Sequence, residues 1–254
     1  MSRYSKQKRK MNKIQDALRQ VKYIAFDADD TLWVNEPYFR EAEREYCALL
    51  ERFAAGEEII STLYSIEMKN LAPYGYGAKA FTLSLMETAI KFSNLSKKSP
   101  LTPQEMQRII EIGTSLISIP IDILPGVEQL LKELSGRGKY TLVVATKGDL
   151  LDQQRKLERS GLAGYFHHIE VMSDKNREAY LSLLGSLDCS PEEFLMIGNS
   201  MKSDIIPVLE IGAYALYVPF YSTWEHEKVE GEVAHPNLFT CDGGSSQLPE
   251  FFRI

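Results

Sequence analysis

From Pro125 onward, apolar runs alternate with helical stretches, and this alternation narrows the fold more than any other property of the chain. The turn signal Pro125-Gly126 opens a helical pattern over Val127 to Arg137, and an apolar run from Tyr140 to Ala145 follows. The order then repeats as helix Asp149 to Ser160, strand His168 to Met172, helix Asn176 to Leu187, strand Phe194 to Ile197, helix Asp204 to Ile211 and strand Ala213 to Val218. Upstream, the β-branched and aromatic run Val21 to Phe26 ends in a burst of acid and supplies a first strand. Strands alternating with helices predict a doubly wound α/β fold with a mainly parallel sheet covered on both faces. Ligands of such sheets gather outside the carboxyl ends of the strands, so the polar residues just after each strand are the ones to read for chemistry.

The stretch between the first strand and Pro125 has a different texture, with helical patterns over Tyr38 to Phe53, Glu57 to Asn70, Lys79 to Phe92 and Pro103 to Ser118. Tyr46, Leu49, Leu50 and Phe53 suit one buried helical face. An inserted all-helical module over residues 36–120 follows, with the α/β core formed by residues 21–35 and 121–254. Residues 1–20 form a basic extension, in which Arg3, Lys6, Lys8, Arg9, Lys10, Lys13 and Arg19 face only Asp16. It reads as a frayed, solvated segment leading into a short helix. The pattern weakens from Tyr221, and residues 242–246 read as loop.

Composition limits the partners. A net charge of −6 gives no global attraction to nucleic acid or to an anionic membrane, and 44% hydrophobic residues can fill a core. The apolar runs fall far short of a bilayer span, and no secretory h-region follows the basic start. Cys47, Cys189 and Cys241 show no metal-type or redox-type spacing, so a reduced, cytoplasmic protein is expected.

The first strand runs into Asp27-Ala28-Asp29-Asp30-Thr31-Leu32, which crowds three carboxylates into four positions. Beside a buried strand such charge is costly to leave unpaired, and a divalent cation would keep the carboxylates ionised. Alternate side chains Asp27 and Asp29 share a side if extended geometry persists, so one can act as nucleophile while the other handles protons. Thr146-Lys147-Gly148 follows the second predicted strand, offering a hydroxyl and backbone amides to phosphate oxygens near a helix start. Ser173-Asp174-Lys175 follows the third, and Gly198-Asn199-Ser200-Met201-Lys202-Ser203-Asp204 the fourth. Each alone has a structural explanation, as a cap or a solvated charge; the ordered set does not.

This order and spacing resemble the four motifs of the haloacid-dehalogenase-like superfamily over essentially the whole chain after residue 20. The resemblance implies a Rossmann-like core with a helical cap inserted between the first two motifs. It further implies a Mg²⁺-dependent phosphatase acting on a small phosphorylated metabolite. Asp27 would be nucleophile and metal ligand, and Asp29 general acid/base and, through its carbonyl, metal ligand. Thr146 and Lys175 would bind the phosphoryl group, with Lys147 beside them, and Asp204 would ligate the metal. One departure stands out: the fourth motif commonly begins Gly-Asp, and here it is Gly198-Asn199. The Asn199 amide oxygen can still serve a hard cation, without the charge. Asp29 speaks for a phosphatase over a dehalogenase, which resembles the fold without that carboxylate. In the cap, Tyr74 and Tyr76 flank a glycine break and are candidates for substrate choice. Rival readings are a phosphoryl-transferring mutase, a phospho-accepting signalling domain and a catalytically weak binding protein.

Overall fold

The computed structural model describes residues 14–96 and 100–252 of the chain. In chain order its elements are β1 (Tyr23–Phe26), helices α1 (Glu36–Leu50), α2 (Gly56–Tyr74), α3 (Ala78–Leu95) and α4 (Pro103–Ser115), then α5 (Val127–Gly136), β2 (Thr141–Lys147), α6 (Leu150–Arg159), β3 (His168–Met172), α7 (Arg177–Ser186), β4 (Phe194–Gly198), α8 (Ile206–Glu210), β5 (Tyr214–Tyr217), β6 (Leu238–Thr240) and α9 (Leu248–Phe251). The chain divides into two compact units. One contains the described residues up to Val34, Ile121–Thr146 and the chain from Lys156; the other contains Asn35–Pro120 and Lys147–Arg155.

The first unit is built on a six-stranded sheet in the order β3-β2-β1-β4-β5-β6. β1 pairs in parallel with β2 on one side and β4 on the other, in the registers Phe26↔Val144 and Phe26↔Ile197. Both faces of the sheet are covered, which is why its strands read as unbroken apolar runs. Ile24, Phe26, Leu142, Val144, Leu195 and Ile197 pack on one face with Leu130, Leu131 and Leu134 of α5. Ala25, Val143, Ala145 and Met196 pack on the other with Tyr180, Leu183 and Leu184 of α7 and Val208 of α8. The alternation along each strand follows the period-two geometry of extended chain.

The structure departs from the sequence reading at three places. Residues 14–20 form the short helix expected at the end of the basic extension, and what differs is its packing, since Ile14, Ala17 and Leu18 are buried in the core with β1. The basic residues from Arg3 to Lys13 lie outside the described residues. β6 arises in the weakly patterned C-terminal region, where a short strand pairs in parallel with β5 through Leu216↔Phe239. The helix expected from Asp204 divides into a π-helical turn over Met201–Ile205 and the short α8, which has Pro207 in its first turn.

The second unit packs α1 to α4 around Tyr46, Leu50, Ile59, Leu63, Leu85 and Ile109. The Tyr46 hydroxyl donates to the Leu85 carbonyl at 2.7 Å, which satisfies a fully buried polar tip. A Cβ on Gly113 would lie 2.2 Å from Thr82 Oγ1, so glycine lets α3 and α4 approach closely. Thr102 and Glu105 form a capping box that starts α4. Among the described residues no helix is long and apolar enough to cross a membrane.

Candidate active site

The carboxyl edge of the sheet gathers the acidic and basic residues within the first unit. β1 ends at Phe26, and Asp27 continues its ladder by donating its N–H to the Ile197 carbonyl at 2.9 Å. The chain then turns sharply: Asp30 has φ of 61°, its N–H bonds the Trp33 carbonyl at 2.7 Å, and Leu32 N–H bonds the Ala28 carbonyl at 2.8 Å. That left-handed turn returns the chain to the core and leaves the Asp27 and Asp29 side chains to other partners.

Asp27 is buried and accepts from the Lys175 ammonium. The same ammonium donates to Asp204 Oδ1 at 2.6 Å, and both Lys175 and Asp204 are almost wholly withdrawn from solvent. Burial, then the nearby Asp204 charge, push the Asp27 carboxyl above its usual range, against the pull of Lys175. For Lys175 burial works against the charge, but Asp204 and Asp27 outweigh it and the ammonium is held more firmly than an ordinary lysine's. The other oxygen of Asp204, Oδ2, accepts from Ser200 N–H at 2.9 Å. Gly198 makes room for this: a Cβ there would lie 2.3 Å from Asp204 Cγ.

Asn199 faces a different set. Its amide oxygen accepts from the Thr31 hydroxyl at 3.0 Å. With the amide turned over, its nitrogen donates to Asp27 Oδ2 at 3.2 Å, to the Asp29 carbonyl at 3.2 Å and to Thr31 Oγ1 at 3.0 Å. In the first orientation three oxygens converge with no donor among them, an arrangement that a hard cation satisfies. Mg²⁺ therefore fits a donor set of Asp27 Oδ2, the Asp29 carbonyl and the Asn199 amide oxygen. Among the described residues no group of three His, Cys, Asp or Glu side chains makes a metal site, because only one of these three donors is such a side chain.

Asp29 has its own neighbours. Trp33 Nε1 donates to its Oδ1 at 2.8 Å, and Lys156 Nζ lies 3.1 Å from Oδ1 and 3.3 Å from Oδ2. Thr146 is fully buried at the end of β2, the strand beside β1. Lys147, the next residue, belongs to the second unit, where its ammonium sits 4.3 Å from the centroid of the Tyr76 ring. Tyr74 in the same unit is exposed.

The sequence reading missed Lys156, Trp33 and Glu227. A lysine within a helix reads as a solvated charge, so nothing in the pattern marked Lys156. Glu227 stands in the weakly patterned region, yet its carboxylate accepts from the Ser200 hydroxyl and from Ser203 Oγ at 2.6 Å, and so braces the π-helical turn that carries Asp204.

Comparison with known proteins gives a consistent family. A solved haloacid dehalogenase-like family hydrolase from Xanthomonas campestris matches with a TM-score of 0.78 and 35% identity, over 91% of this chain and 90% of that one. The pyrimidine 5'-nucleotidase YjjG of Escherichia coli is 26% identical over 198 residues, 75% of this chain and 82% of its own. A glyceraldehyde 3-phosphate phosphatase of Methanothermobacter thermautotrophicus is 30% identical over 100 residues, 37% of this chain and 43% of its own. The model of haloacid dehalogenase-like hydrolases matches residues 21–212, the span that carries β1, the acidic turn and every motif residue at the sheet edge, and the chain belongs to that family.

Proposed function

We propose that the protein is a Mg²⁺-dependent phosphatase that hydrolyses a small phosphomonoester through a phosphoryl group carried on Asp27. The observation that carries the reading is the buried Lys175 ammonium shared between Asp27 and Asp204 at the carboxyl edge of the sheet. A lysine fixed beside the nucleophile supplies charge to the equatorial oxygens of a transferring phosphoryl group without reorganisation. The nucleotidase and phosphatase names of the two curated relatives support the same chemistry.

In the first step an Asp27 carboxylate oxygen attacks phosphorus in line, the bond to the ester oxygen breaks, and Asp29 gives that oxygen its proton. In the second step Asp29 takes a proton from water, the water oxygen attacks phosphorus, and the bond to Asp27 breaks, releasing phosphate. Thr146 orients the phosphoryl oxygens. Asp27, the Asp29 carbonyl and Asn199 would hold Mg²⁺, which would supply positive charge to offset repulsion between nucleophile and phosphate. The motif resemblance makes Asp204 a metal ligand; the geometry supports another task, because one of its oxygens takes Lys175 and the other the Ser200 N–H. Tyr74 and Tyr76 retain a role in choosing the substrate. For Lys147 the Tyr76 ring, more than the phosphoryl group, is the supported partner.

Hydrolysis of an aryl phosphate should stop on chelation and return with added Mg²⁺. Asn199→Asp adds a charge to the donor set and should lower the Mg²⁺ concentration for half activity about tenfold, while Asp204→Asn should leave that concentration within about twofold and lower kcat. Full turnover in excess chelator would sink the metal assignment, and an unchanged titration for Asn199→Asp would move that residue out of contact with the ion.

A further inference from the structure

We infer that Lys156 is a positioning residue for Asp29, fixing the carboxylate that moves the proton in both steps. The inference deepens the phosphatase reading and rests on it. Lys156 projects from α6, and its side chain is only 4% exposed. Withdrawing an ammonium from water to that extent is expensive unless a carboxylate is held in good geometry against it. Asp29 provides this partner, with its oxygens 3.1 and 3.3 Å from Nζ. The partner on the other side is equally fixed: Trp33 is fully buried, its N–H lies 2.8 Å from Asp29 Oδ1, and its carbonyl closes the Asp30 turn at 2.7 Å.

Two rigid donors from different parts of the chain therefore grip one carboxylate. Asp29 itself is only partly buried, 23% of its side chain being exposed, so packing alone does not set its rotamer. Asp27 and Asp29 stand two positions apart on the same turn, and each has its own lysine, Lys175 for the first and Lys156 for the second. Such a division keeps the two carboxylates from competing for one cation and aims them separately. A proton donor displaced by about 1 Å loses about a hundredfold in rate. In the first step that loss falls on esters whose leaving group needs the proton and spares those that leave as stable anions, whereas the second step needs the base whichever ester was bound.

The test compares an alkyl phosphate with an aryl phosphate carrying a good leaving group, using the full chain with Mg²⁺. Lys156→Met should slow the first turnover, read as release of the alcohol or phenol, about 30-fold to 100-fold on the alkyl ester and less than about fivefold on the aryl ester, so that the aryl ester shows a burst before a slowed steady rate. Lys156→Arg, which keeps a donor to Asp29, should recover at least about a third of the alkyl activity. Thermal unfolding reports whether each variant is folded, and Lys156→Gln carries the same comparison if the methionine protein does not fold. Equal losses of the first-turnover rate on both esters, or no loss on either, in variants of a protein that hydrolyses both would overturn the inference alone. Failure of the unaltered protein to hydrolyse either ester would overturn the phosphatase reading, and the inference with it.

Discussion

The sheet edge and the helical unit each bury a group of carboxylates, and they compensate the charge in different ways. At the edge, Asp27 and Asp204 share Lys175, and Asp29 has Lys156. In the helical unit, Glu36 and Glu43 of α1 share Arg40, which also lies within electrostatic reach of Glu67 on α2. Burial, with Glu43 adding repulsion, leaves the Glu36 carboxyl at about 7, and burial followed by Glu43 and Glu36 pushes Glu67 to about 8. At the edge, burial and Asp204 likewise push Asp27 up to about 7, but an almost wholly buried ammonium, Lys175, is set against it. Buried acid alone therefore does not mark a site; its pairing does.

The largest effect that would break this comparison is the loss of Lys175. Lys175→Met leaves Asp27 and Asp204 buried without their shared cation, which should cost about 3 kcal/mol in stability and about a thousandfold in kcat. Urea unfolding and steady-state hydrolysis measure the two. A variant that keeps more than about a tenth of the activity would show that Lys175 is a packing residue and that the sheet edge resembles the helical unit.

The smaller effect concerns Glu67. Its folded value lies above the ordinary 4.5 of a glutamate, so below about pH 4.5 both folded and unfolded chains hold the proton and the contribution is complete. As pH rises the unfolded chain releases the proton first, and stability falls until the folded carboxyl itself ionises near pH 8. Glu67→Gln mimics the protonated acid and should add about 1 kcal/mol at pH 8 and nothing at pH 4.5. The pH dependence of the unfolding midpoint checks this. A gain of equal size at both values would mean that the benefit comes from something other than the proton.

How much of this was legible in the sequence follows from what each residue's neighbours are. β1, β2, β4 and β5 were readable because burial on both faces keeps four consecutive residues of each apolar or aromatic. The acidic turn was readable because its charges follow one of those strands directly. β6 was not: Leu238-Phe239-Thr240 is too short to carry a period, and the neighbouring β5 decides its structure. The helix expected from Asp204 begins as a π-helical turn whose Ser200 and Ser203 hydroxyls bond the carboxylate of distant Glu227, a pairing that no local pattern encodes. Lys156 escaped for a related reason. Its helix was expected over Asp149 to Ser160, but the burial of one lysine on it depends on Asp29, which precedes it by 127 positions.

The central claim is that Asp27 carries the phosphoryl group while Asp29 moves the protons, and the pre-steady-state course of the Asp29→Asn variant tests it most directly. With an aryl phosphate, attack by Asp27 needs little proton donation, whereas release of phosphate still needs a base. The account predicts a burst of phenol close to one equivalent per enzyme, then a slow steady rate, with a hydroxylamine-labile phosphoryl group that maps to Asp27 and is missing from Asp27→Asn. Label on another residue, or undiminished turnover by the Asp27→Asn protein, would contradict it.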